Sequence, residues 1–154
     1  RQPIFVRNPA ATRPWQHVLD CLSGYLLLGW RLAESGGDPR FADAFNFGPP
    51  AASNRSVREL VEETLRAWPG SWNTEADPDT PHEASLLHLA TDKAAQTLSW
   101  FPVWEFEKTV RHTIEWYRLR EGRKRTDVSA FSRDQIASFV ADAHAQGLVW
   151  TESP

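Results

Sequence analysis

The sequence predicts an α/β fold, with α+β character for the chain taken alone: a small mixed sheet accompanied by several helices. Two observations predict it. Short apolar runs alternate with longer segments in which apolar residues recur every three or four positions, the spacing of a helix. Clusters of Gly, Pro and Asn separate these segments. The resulting order is strand, helix, strand, helix, strand and three helices, which favours this class over a helical bundle or a β-sandwich.

The first third of the chain predicts a strand, a helix and a second strand. Residues 3–6 form a short apolar run that ends at Asn8-Pro9, so we expect a strand there. Residues 18–33 predict a helix, which Gly36-Gly37 and Pro39 end. Residues 41–47 are a second strand candidate. The apolar residues that recur at helical spacing in the predicted helix are Val18, Leu22, Tyr25, Leu26 and Trp30.

The middle of the chain opens on a capping box, Ser56-Val-Arg-Glu59, in which the serine hydroxyl and the glutamate each bond a backbone N–H of the first helical turn. The helix behind it should end at Pro69-Gly70. Residues 71–81 predict a polar loop with Trp72 as its apolar residue, and residues 85–90 a short strand. The side chains expected to face inward from the helix are Leu60, Val61, Leu65 and Trp68.

The last third of the chain predicts three helices. Thr91 is the expected cap of a short helix over residues 92–98, and residues 105–120 predict a longer amphipathic one. Residues 121–131 are expected to be a linker. Ser132-Arg-Asp-Gln135 is a second candidate capping box, and the helix behind it should run to Gly147.

Composition excludes several classes of function. A chain of 154 residues suits one domain, and a net charge of −3 gives no basic surface for nucleic acid, so we expect no nucleic-acid partner. No apolar run approaches the roughly 20 residues of a membrane span, so we expect no membrane partner either. The five His show no zinc-ligand spacing, and we expect no metal site. The lone Cys21, among leucines, is expected to be a buried structural thiol, which is compatible with a cytoplasmic location.

Two features of the composition are unusual. The chain contains eight Trp and no Met, and the missing Met leads us to expect a fragment or a processed chain. Indole rings stack on sugars, so the tryptophans invite a carbohydrate-binding interpretation. For most of them, packing in the core or between helices is the competing and preferred interpretation.

The sequence offers no catalytic constellation. No glycine-rich turn follows the first strand, no Ser lies in a nucleophile elbow, and neither Tyr has a Lys four residues later. The polar segment 7–17 is different, because it precedes an apolar helix whose first turn offers backbone donors. Arg13 would add a planar fork suited to phosphate oxygens, although a solvent-exposed loop with one surface Arg remains an open alternative. His82-Glu83, taken alone, fits an ordinary surface.

Several short motifs along the chain carry a resemblance to a known family. In chain order they are Val6-Arg-Asn-Pro9, Thr12-Arg-Pro-Trp-Gln-His-Val-Leu19, Leu22-Ser-Gly-Tyr-Leu26, Phe45-Asn-Phe-Gly-Pro49, Val57-Arg-Glu-Leu-Val61, Pro81-His-Glu-Ala84, Asp92-Lys-Ala94, Leu98-Ser-Trp100, Glu115-Trp-Tyr117 and Gln135-Ile136. Together, and in this order, they resemble the CDP-glucose 4,6-dehydratases, a family of the extended short-chain dehydrogenase/reductase superfamily. Pro14 and Gln16 within Arg-Pro-Trp-Gln-His favour the cytidine-nucleotide branch, because related epimerases and dehydratases usually have Arg-Asp there.

The resemblance implies an enzyme, a hydro-lyase that converts CDP-glucose to CDP-4-keto-6-deoxyglucose, a step in dideoxysugar and polysaccharide biosynthesis. Hydride passes from C4 to a bound NAD, water leaves across C5 and C6, and the hydride returns to C6. The family's NAD motif and Tyr/Lys pair lie in an amino-terminal half, so this chain would be the substrate-binding lobe of an extended Rossmann-type enzyme and inactive alone. The resemblance also implies a homo-oligomer.

The resemblance assigns substrate contacts to this chain but neither catalytic nor cofactor residues. It implies that Arg13 contacts the diphosphate and that its neighbours touch base, ribose or phosphate. Residues 1–120 would be the sugar-nucleotide-binding lobe, 121–131 a linker and 132–147 a terminal helix. Departures from the family are Ala84 and Ser85 in place of a second phosphate-binding Arg, Ala90 for Asp, Ser99 for Gly and Asp20 for Glu. The expected substrate-binding residues are Arg13, Gln16, Arg7, Asn8, Trp15, His82 and Glu83.

Two alternatives remain open. One is another sugar-nucleotide epimerase or dehydratase, which would prefer UDP or dTDP to CDP. The other, from a different class, is a non-catalytic carbohydrate- or protein-interaction module that uses exposed tryptophans.

Overall fold

The computed structural model describes residues 2–74, 86–121 and 125–151 and confirms the α/β class. Its strands are short, and most of its residues in regular secondary structure are helical. Two single 3₁₀ turns, Ala51–Ser53 and Val149–Thr151, complete the elements. In chain order these are β1 (Ile4–Val6), β2 (Thr12–Pro14), α1 (Val18–Glu34), β3 (Asn54–Ser56), α2 (Val57–Ala67), β4 (Trp72–Thr74), α3 (Asp92–Leu98), α4 (Phe106–Arg120) and α5 (Arg125–Ala145).

The described strands pair in two ladders. β1 runs parallel to β4, with Ile4 opposite Trp72, so Trp72 lies in a strand and not in the predicted loop. β2 runs antiparallel to β3, with Arg13 opposite Arg55. A single parallel bridge joins Thr12 to Leu86. The parallel pair explains why β1 forms where its apolar run predicts, since the backbone of Trp72–Thr74 supplies its hydrogen-bonding partner.

Two predicted strands are wrong. Residues 41–47 are irregular, because no described strand lies beside them to form a ladder; Phe45 and Phe47 pack instead with the apolar core beneath α1. Of residues 85–90, the described part, 86–90, contributes only the Leu86 bridge. Periodicity alone therefore overestimated the strand content in both places.

The helices α1 to α4 begin and end close to their predicted bounds. At the start of α2 both hydrogen bonds of the predicted capping box form: the Ser56 hydroxyl accepts from the Glu59 backbone, and Glu59 accepts from the Ser56 backbone. At α3 the expected cap is wrong, because the side chain of Thr91 makes no capping hydrogen bond.

Helix α5 begins at Arg125, seven residues before the predicted start at Ser132. The second capping box therefore does not form. Ser132 lies inside the helix, where its hydroxyl donates to the Val128 carbonyl at 2.8 Å and accepts from the Trp116 indole at 2.9 Å. Residues 125–131 are helical and not linker, whereas the division of the chain into functional parts stays a prediction. Gly147, with φ of +68°, ends the segment as expected.

The buried side chains form two neighbouring clusters. Trp100 belongs to one and Trp104 to the other, and both indoles are nearly inaccessible, which fits the preferred core interpretation for these two tryptophans. The first cluster is Leu27, Phe47, Ala94, Leu98 and Trp100; the second is Val103, Trp104, Phe139, Ala143 and Leu148.

The apolar stripe of α1 faces outward. The side chains that α1 buries are small or polar with one exception, Leu27, and the stripe expected from the sequence lies on the opposite, exposed side. Cys21 is half-buried and not buried as expected. The buried residues of α1 are Asp20, Ser23, Gly24 and Leu27, and the exposed ones include Val18, Leu22, Tyr25, Leu26 and Trp30.

Candidate functional site

Arg13 lies at the centre of β2, half-buried, directly opposite Arg55 of β3. One of its terminal nitrogens, Nη1, donates to the Thr12 carbonyl at 2.8 Å. Like charges placed opposite each other across a ladder repel. Arg55 is compensated by Glu59 at 3.1 Å and by Glu107 at 4.0 Å.

Trp15 follows β2 and is fixed to β3. Its indole N–H donates to the carbonyl of Arg55 at 2.9 Å, and its backbone N–H donates to the carbonyl of Arg13 at 3.0 Å. The polar edge of the indole is thus used within the chain. Trp15 is hydrogen-bonded next to Arg13, and a ligand would contact the Trp15 ring and not its indole N–H.

Gln16 joins the start of α1 to the irregular segment 41–47. Its amide nitrogen donates to the Phe47 carbonyl at 2.8 Å, while its amide oxygen is buried with no hydrogen-bond partner among the described residues. A buried acceptor without a donor is costly. The amide nitrogen of Gln16 is therefore used within the fold, and its amide oxygen is an unsatisfied acceptor. The side chain is not the fully exposed amide expected of a residue that serves only to contact a ligand.

Arg7 and Asn8 lie in the turn after β1. The Asn8 side-chain oxygen accepts from the Ala11 backbone at 3.2 Å, so its acceptor closes this turn. This turn also packs on the start of α2. The Pro9 carbonyl accepts from the Arg58 backbone N–H at 3.0 Å, and the Ala11 carbonyl accepts from the Val57 backbone N–H at 2.9 Å. Arg7 is exposed and has no ion pair or hydrogen bond with the residues the structure describes.

His82 and Glu83, the remaining predicted contacts, lie outside the described residues. Of the other five, the structure brings Arg13, Trp15 and Gln16 together on one continuous element. That element is held by β3, by α1 and by segment 41–47.

His17 is buried and caps α1. Its Nδ1 accepts from the Leu19 backbone at 3.3 Å, and its carbonyl accepts from Asp20 at 3.1 Å. Burial, with a smaller contribution from His112, lowers the pKa of His17 to about 4, so the ring is neutral at pH 7 and can accept. Two backbone donors at the start of α1, those of Leu19 and Asp20, are consequently already bonded within the chain.

Asp20, which sequence reasoning treated only as a departure from the family, is fully buried and holds the inner face of α1. Its Oδ1 accepts from the Val103 backbone at 2.6 Å, and its carbonyl accepts from the Ser23 hydroxyl, which in turn accepts from the Trp100 indole. Burial raises the pKa of Asp20 to about 6, against the backbone donors of Val103 and Trp104, which lower it. The available signal was an acidic residue in the first turn of an otherwise apolar helix.

The described part of the chain shows no turn of the dinucleotide-binding kind. The turn after β1 reads Arg7-Asn-Pro-Ala-Ala11, without the glycines that let a backbone approach a pyrophosphate, and the sequence has no Tyr-x-x-x-Lys pair. Within the described ranges no three His, Cys, Asp or Glu are grouped to hold a metal ion. Nor does any helix in those ranges have the length and apolar character to cross a membrane.

Comparison with known proteins identifies a relative. No family model matches the chain. A protein named CDP-glucose 4,6-dehydratase from Salmonella typhimurium is 35% identical over 119 residues, which is 76% of this chain. The chain is a relative of the CDP-glucose 4,6-dehydratases. The resemblance inferred from the motifs is thereby confirmed. The match spans 32% of the Salmonella protein, so the chain corresponds to about a third of its length.

A solved structure supports the fold. RMD from Pseudomonas aeruginosa, determined in complex with NADPH, matches 78% of this chain with a TM-score of 0.59 and 17% identity. The match covers 36% of that protein. At this identity the likeness concerns the fold, and it agrees with the α/β class.

Proposed function

We propose that this chain is the sugar-nucleotide-binding part of a dehydratase that converts CDP-glucose to CDP-4-keto-6-deoxyglucose. The observation that carries the proposal is the 35% identity, over 119 residues, to a CDP-glucose 4,6-dehydratase. The described geometry supports a binding role, since one rigid element presents Arg13 beside Trp15 while no catalytic pair occurs in the sequence.

Arg13 is the proposed diphosphate contact. A guanidinium binds two phosphate oxygens at once, and its half-buried setting strengthens that contact relative to a fully exposed one. The hydrogen bonds of Trp15 and Gln16 to the Arg55 and Phe47 carbonyls keep the element rigid. Arg7, which is exposed, is a second proposed cationic contact.

The remaining predicted contacts have weaker support. Asn8 shapes the turn that carries Arg7, and its own contact with the nucleotide is proposed only through its position. His82 and Glu83 keep their proposed role from the family's pattern alone. The assignment to cytidine rests on Pro14 and Gln16 and on the name of the Salmonella relative.

The division of labour follows from what the chain contains. In the proposed enzyme a nicotinamide cofactor, NAD, exchanges a hydride with the sugar, and residues outside this chain hold that cofactor and the acid–base groups. This chain would bind the sugar nucleotide and fix its diphosphate. Alone it should bind weakly and catalyse nothing. A homo-oligomeric enzyme in the cytoplasm remains the expectation for the whole protein.

Nuclear magnetic resonance of the indole N–H groups tests the proposal. In a ¹H–¹⁵N spectrum, CDP should shift the Trp15 indole resonance at millimolar concentration, whereas UDP and dTDP at equal concentration should shift it less. A preference for UDP or dTDP would support the related-enzyme alternative. A response to a free oligosaccharide and to no nucleotide would support the carbohydrate module. Against that module, Trp30 is the only one of the eight indoles that is exposed in the structure.

A further inference from the structure

Arg55 of β3 is a cation that the predicted substrate contacts do not include. The antiparallel register places it directly opposite Arg13 of β2. The side chains of directly opposite residues leave an antiparallel ladder on the same face, with their Cβ atoms about 5 Å apart. The two guanidinium groups therefore belong to one face of one short ladder.

Side chains of two helices hold the Arg55 guanidinium in position. Its Nη1 donates to Glu59 of α2 at 3.1 Å, and its Nη2 lies 4.0 Å from Glu107 of α4. The guanidinium carbon also lies over the Phe106 ring, 5.8 Å from the ring centre. A guanidinium that its neighbours already hold loses less rotamer entropy when it binds a ligand. Arg55 is therefore pre-organised.

The Arg55 guanidinium keeps donors for a further acceptor. An arginine has five N–H donors, and the described residues accept one hydrogen bond from those of Arg55. At 4.0 Å the Glu107 carboxylate is close enough for an ion pair with Nη2 but too far for a hydrogen bond. The side chain is 40% exposed although its Nε is buried, so the exposure belongs to its other atoms. An incoming oxygen would contact the Nη atoms.

Trp15 joins the two strands that carry the arginines. Its indole N–H donates to the Arg55 carbonyl at 2.9 Å, and its backbone N–H donates to the Arg13 carbonyl at 3.0 Å. These bonds, with the ladder itself, fix the backbones of both arginines relative to each other. Two cations at a fixed separation suit an anion whose two charged groups are also at a fixed separation.

A diphosphate is the kind of anion that matches this pair. Its two phosphates share one bridging oxygen and both carry negative charge, so one guanidinium neutralises only part of that charge. A carboxylate or a single phosphate would occupy one arginine and leave the other with its carboxylates. The chemistry of the pair therefore favours a diphosphate over an anion with one charged group.

We propose that Arg55 binds the diphosphate of the sugar nucleotide together with Arg13, with one guanidinium supplied by each strand of the ladder. Glu59 and Glu107 hold Arg55 in position before the diphosphate binds. Glu59 can remain in place when it does, because its other oxygen accepts from the Ser56 backbone. The identity of the ligand as a sugar nucleotide rests on the proposed function; the pairing of the two arginines does not.

Titration with pyrophosphate at low ionic strength tests the pairing without a nucleotide, with the Trp15 indole resonance as the readout. Arg55→Ala should lower the affinity for pyrophosphate at least about tenfold, because a charge-assisted contact is lost. Arg55→Lys keeps the charge without the fork and should lower it by a smaller factor. No response of the unsubstituted chain to pyrophosphate would overturn the proposal.

The control is Arg66→Ala. Arg66 is an exposed arginine at the other end of α2 and forms an ion pair with Glu63 on the same helix. Its loss should leave the affinity for pyrophosphate unchanged, since it lies outside the ladder. Equal pyrophosphate affinity in Arg55→Ala and Arg66→Ala would overturn the proposal.

Glu59→Gln gives an effect of the opposite sign. Gln also suits this position of a capping box, so the start of α2 is kept, while the carboxylate that competes for Arg55 is removed. The affinity for pyrophosphate should rise about two- to fivefold, as expected for release of an exposed ion pair. Glu63→Gln is the matched control. If Arg55→Ala does not fold, this comparison decides: an unchanged or lower affinity in Glu59→Gln, or an equal rise in Glu63→Gln, would overturn the proposal.

Nucleotides separate this inference from the function on which it rests. A preference for CDP over UDP, with equal CDP affinity in Arg55→Ala and the unsubstituted chain, would reject the pairing and leave the proposed function standing. Pyrophosphate binding that depends on Arg55, with equal affinity for CDP and UDP, would reject the assignment to cytidine alone. Arg55→Ala should also narrow the preference for CDP over CMP, because CMP lacks the second phosphate. Equal losses for CDP and CMP would show that Arg55 acts only through the fold and would overturn the proposal.

Discussion

The two faces of helix α1 are built by opposite rules. The inner face is mostly small or polar, and its side chains have specific neighbours. Asp20 accepts a hydrogen bond from the Val103 backbone, Ser23 accepts one from the Trp100 indole, and Gly24 lies against the ring of Phe47. The outer face is large and apolar, and each of its side chains is at least 39% exposed; its members are Val18, Leu22, Tyr25, Leu26 and Trp30. In an isolated soluble domain the apolar side of a helix would be expected inside.

The difference between the two faces shows that the spacing of apolar residues identifies a helix face that tends to be buried, but does not identify the residues that bury it. The inner face is specified by close approach, since a Cβ at Gly24 would lie 2.3 Å from the Phe47 ring. The outer face follows the regular spacing of apolar residues, which is recognised most readily from the sequence. The helix therefore has one face that packs against this chain and one whose large apolar side chains are exposed among the described residues.

The largest expected effect comes from neighbouring leucines on the two faces. Leu27 is 3% exposed and Leu26 is 75% exposed. Leu27→Ala should lower the free energy of unfolding by about 3 kcal/mol, because it opens a cavity beside Trp100 and Phe47. Leu26→Ala should change it by less than about 0.5 kcal/mol. Urea denaturation of both variants measures the difference, and equal losses would mean that Leu26 is buried in solution.

Two glycines on the same helix give a second matched pair. Gly24→Ala should destabilise the chain by about 2 kcal/mol, because the added methyl overlaps the Phe47 ring. Gly29→Ala meets no atom within 4 Å and should stabilise the chain by about 0.5–1 kcal/mol through helix propensity. Thermal unfolding should move the two melting temperatures in opposite directions, and a shift in the same direction would contradict the described packing.

The inner face should also make stability depend on pH in two opposing ways. The folded pKa of Asp20, about 6, lies above its ordinary value, so its contribution is present near pH 4 and is lost as pH rises through 6. The folded pKa of His17, about 4, lies below its ordinary value, so its contribution is present above pH 6.5 and is lost as pH falls toward 4.

Asp20→Asn should separate the two effects, because the amide keeps an acceptor for Val103 and does not titrate. Between pH 4 and 6 the free energy of unfolding of this variant, relative to the unsubstituted chain, should rise with pH by up to about 1.4 kcal/mol per unit. His17→Asn, which retains a good capping side chain, should show the opposite slope. Parallel curves for all three proteins would show that neither group titrates differently on folding.

The sequence could predict the elements that depend on local signals. The capping box at Ser56 and the positive φ at Gly147 are local, and both were found where expected. The start of α5 was predicted too late because Ser132-Arg-Asp-Gln135 also suits the interior of a helix. No local signal between Arg125 and Ser132 interrupts the helical pattern. Segment 41–47 was missed because a strand needs a partner, which sequence periodicity does not supply.

The candidate site was predictable to a similar degree. Motif position groups Arg13, Trp15 and Gln16, and in the structure the side chains of Trp15 and Gln16 are hydrogen-bonded to the carbonyls of Arg55 and Phe47. The contact of these three residues with a ligand stays a prediction. Arg55 and Asp20 were missed because their roles depend on residues about 40 and 80 positions away along the chain, Arg13 and Trp15 in one case and Val103 in the other.

We propose that this chain binds the sugar nucleotide through Arg13 and that residues outside the chain catalyse the reaction. The most direct measurement is the CDP titration of the Trp15 indole resonance in the unsubstituted chain, in Arg13→Ala and in a matched control, Arg133→Ala, whose guanidinium is exposed on α5 and bonds only Ser129 among the described residues. We expect the CDP-induced shift to persist in Arg133→Ala, and we expect the apparent affinity for CDP to be at least about tenfold lower in Arg13→Ala. Equal CDP affinity in all three proteins would contradict it.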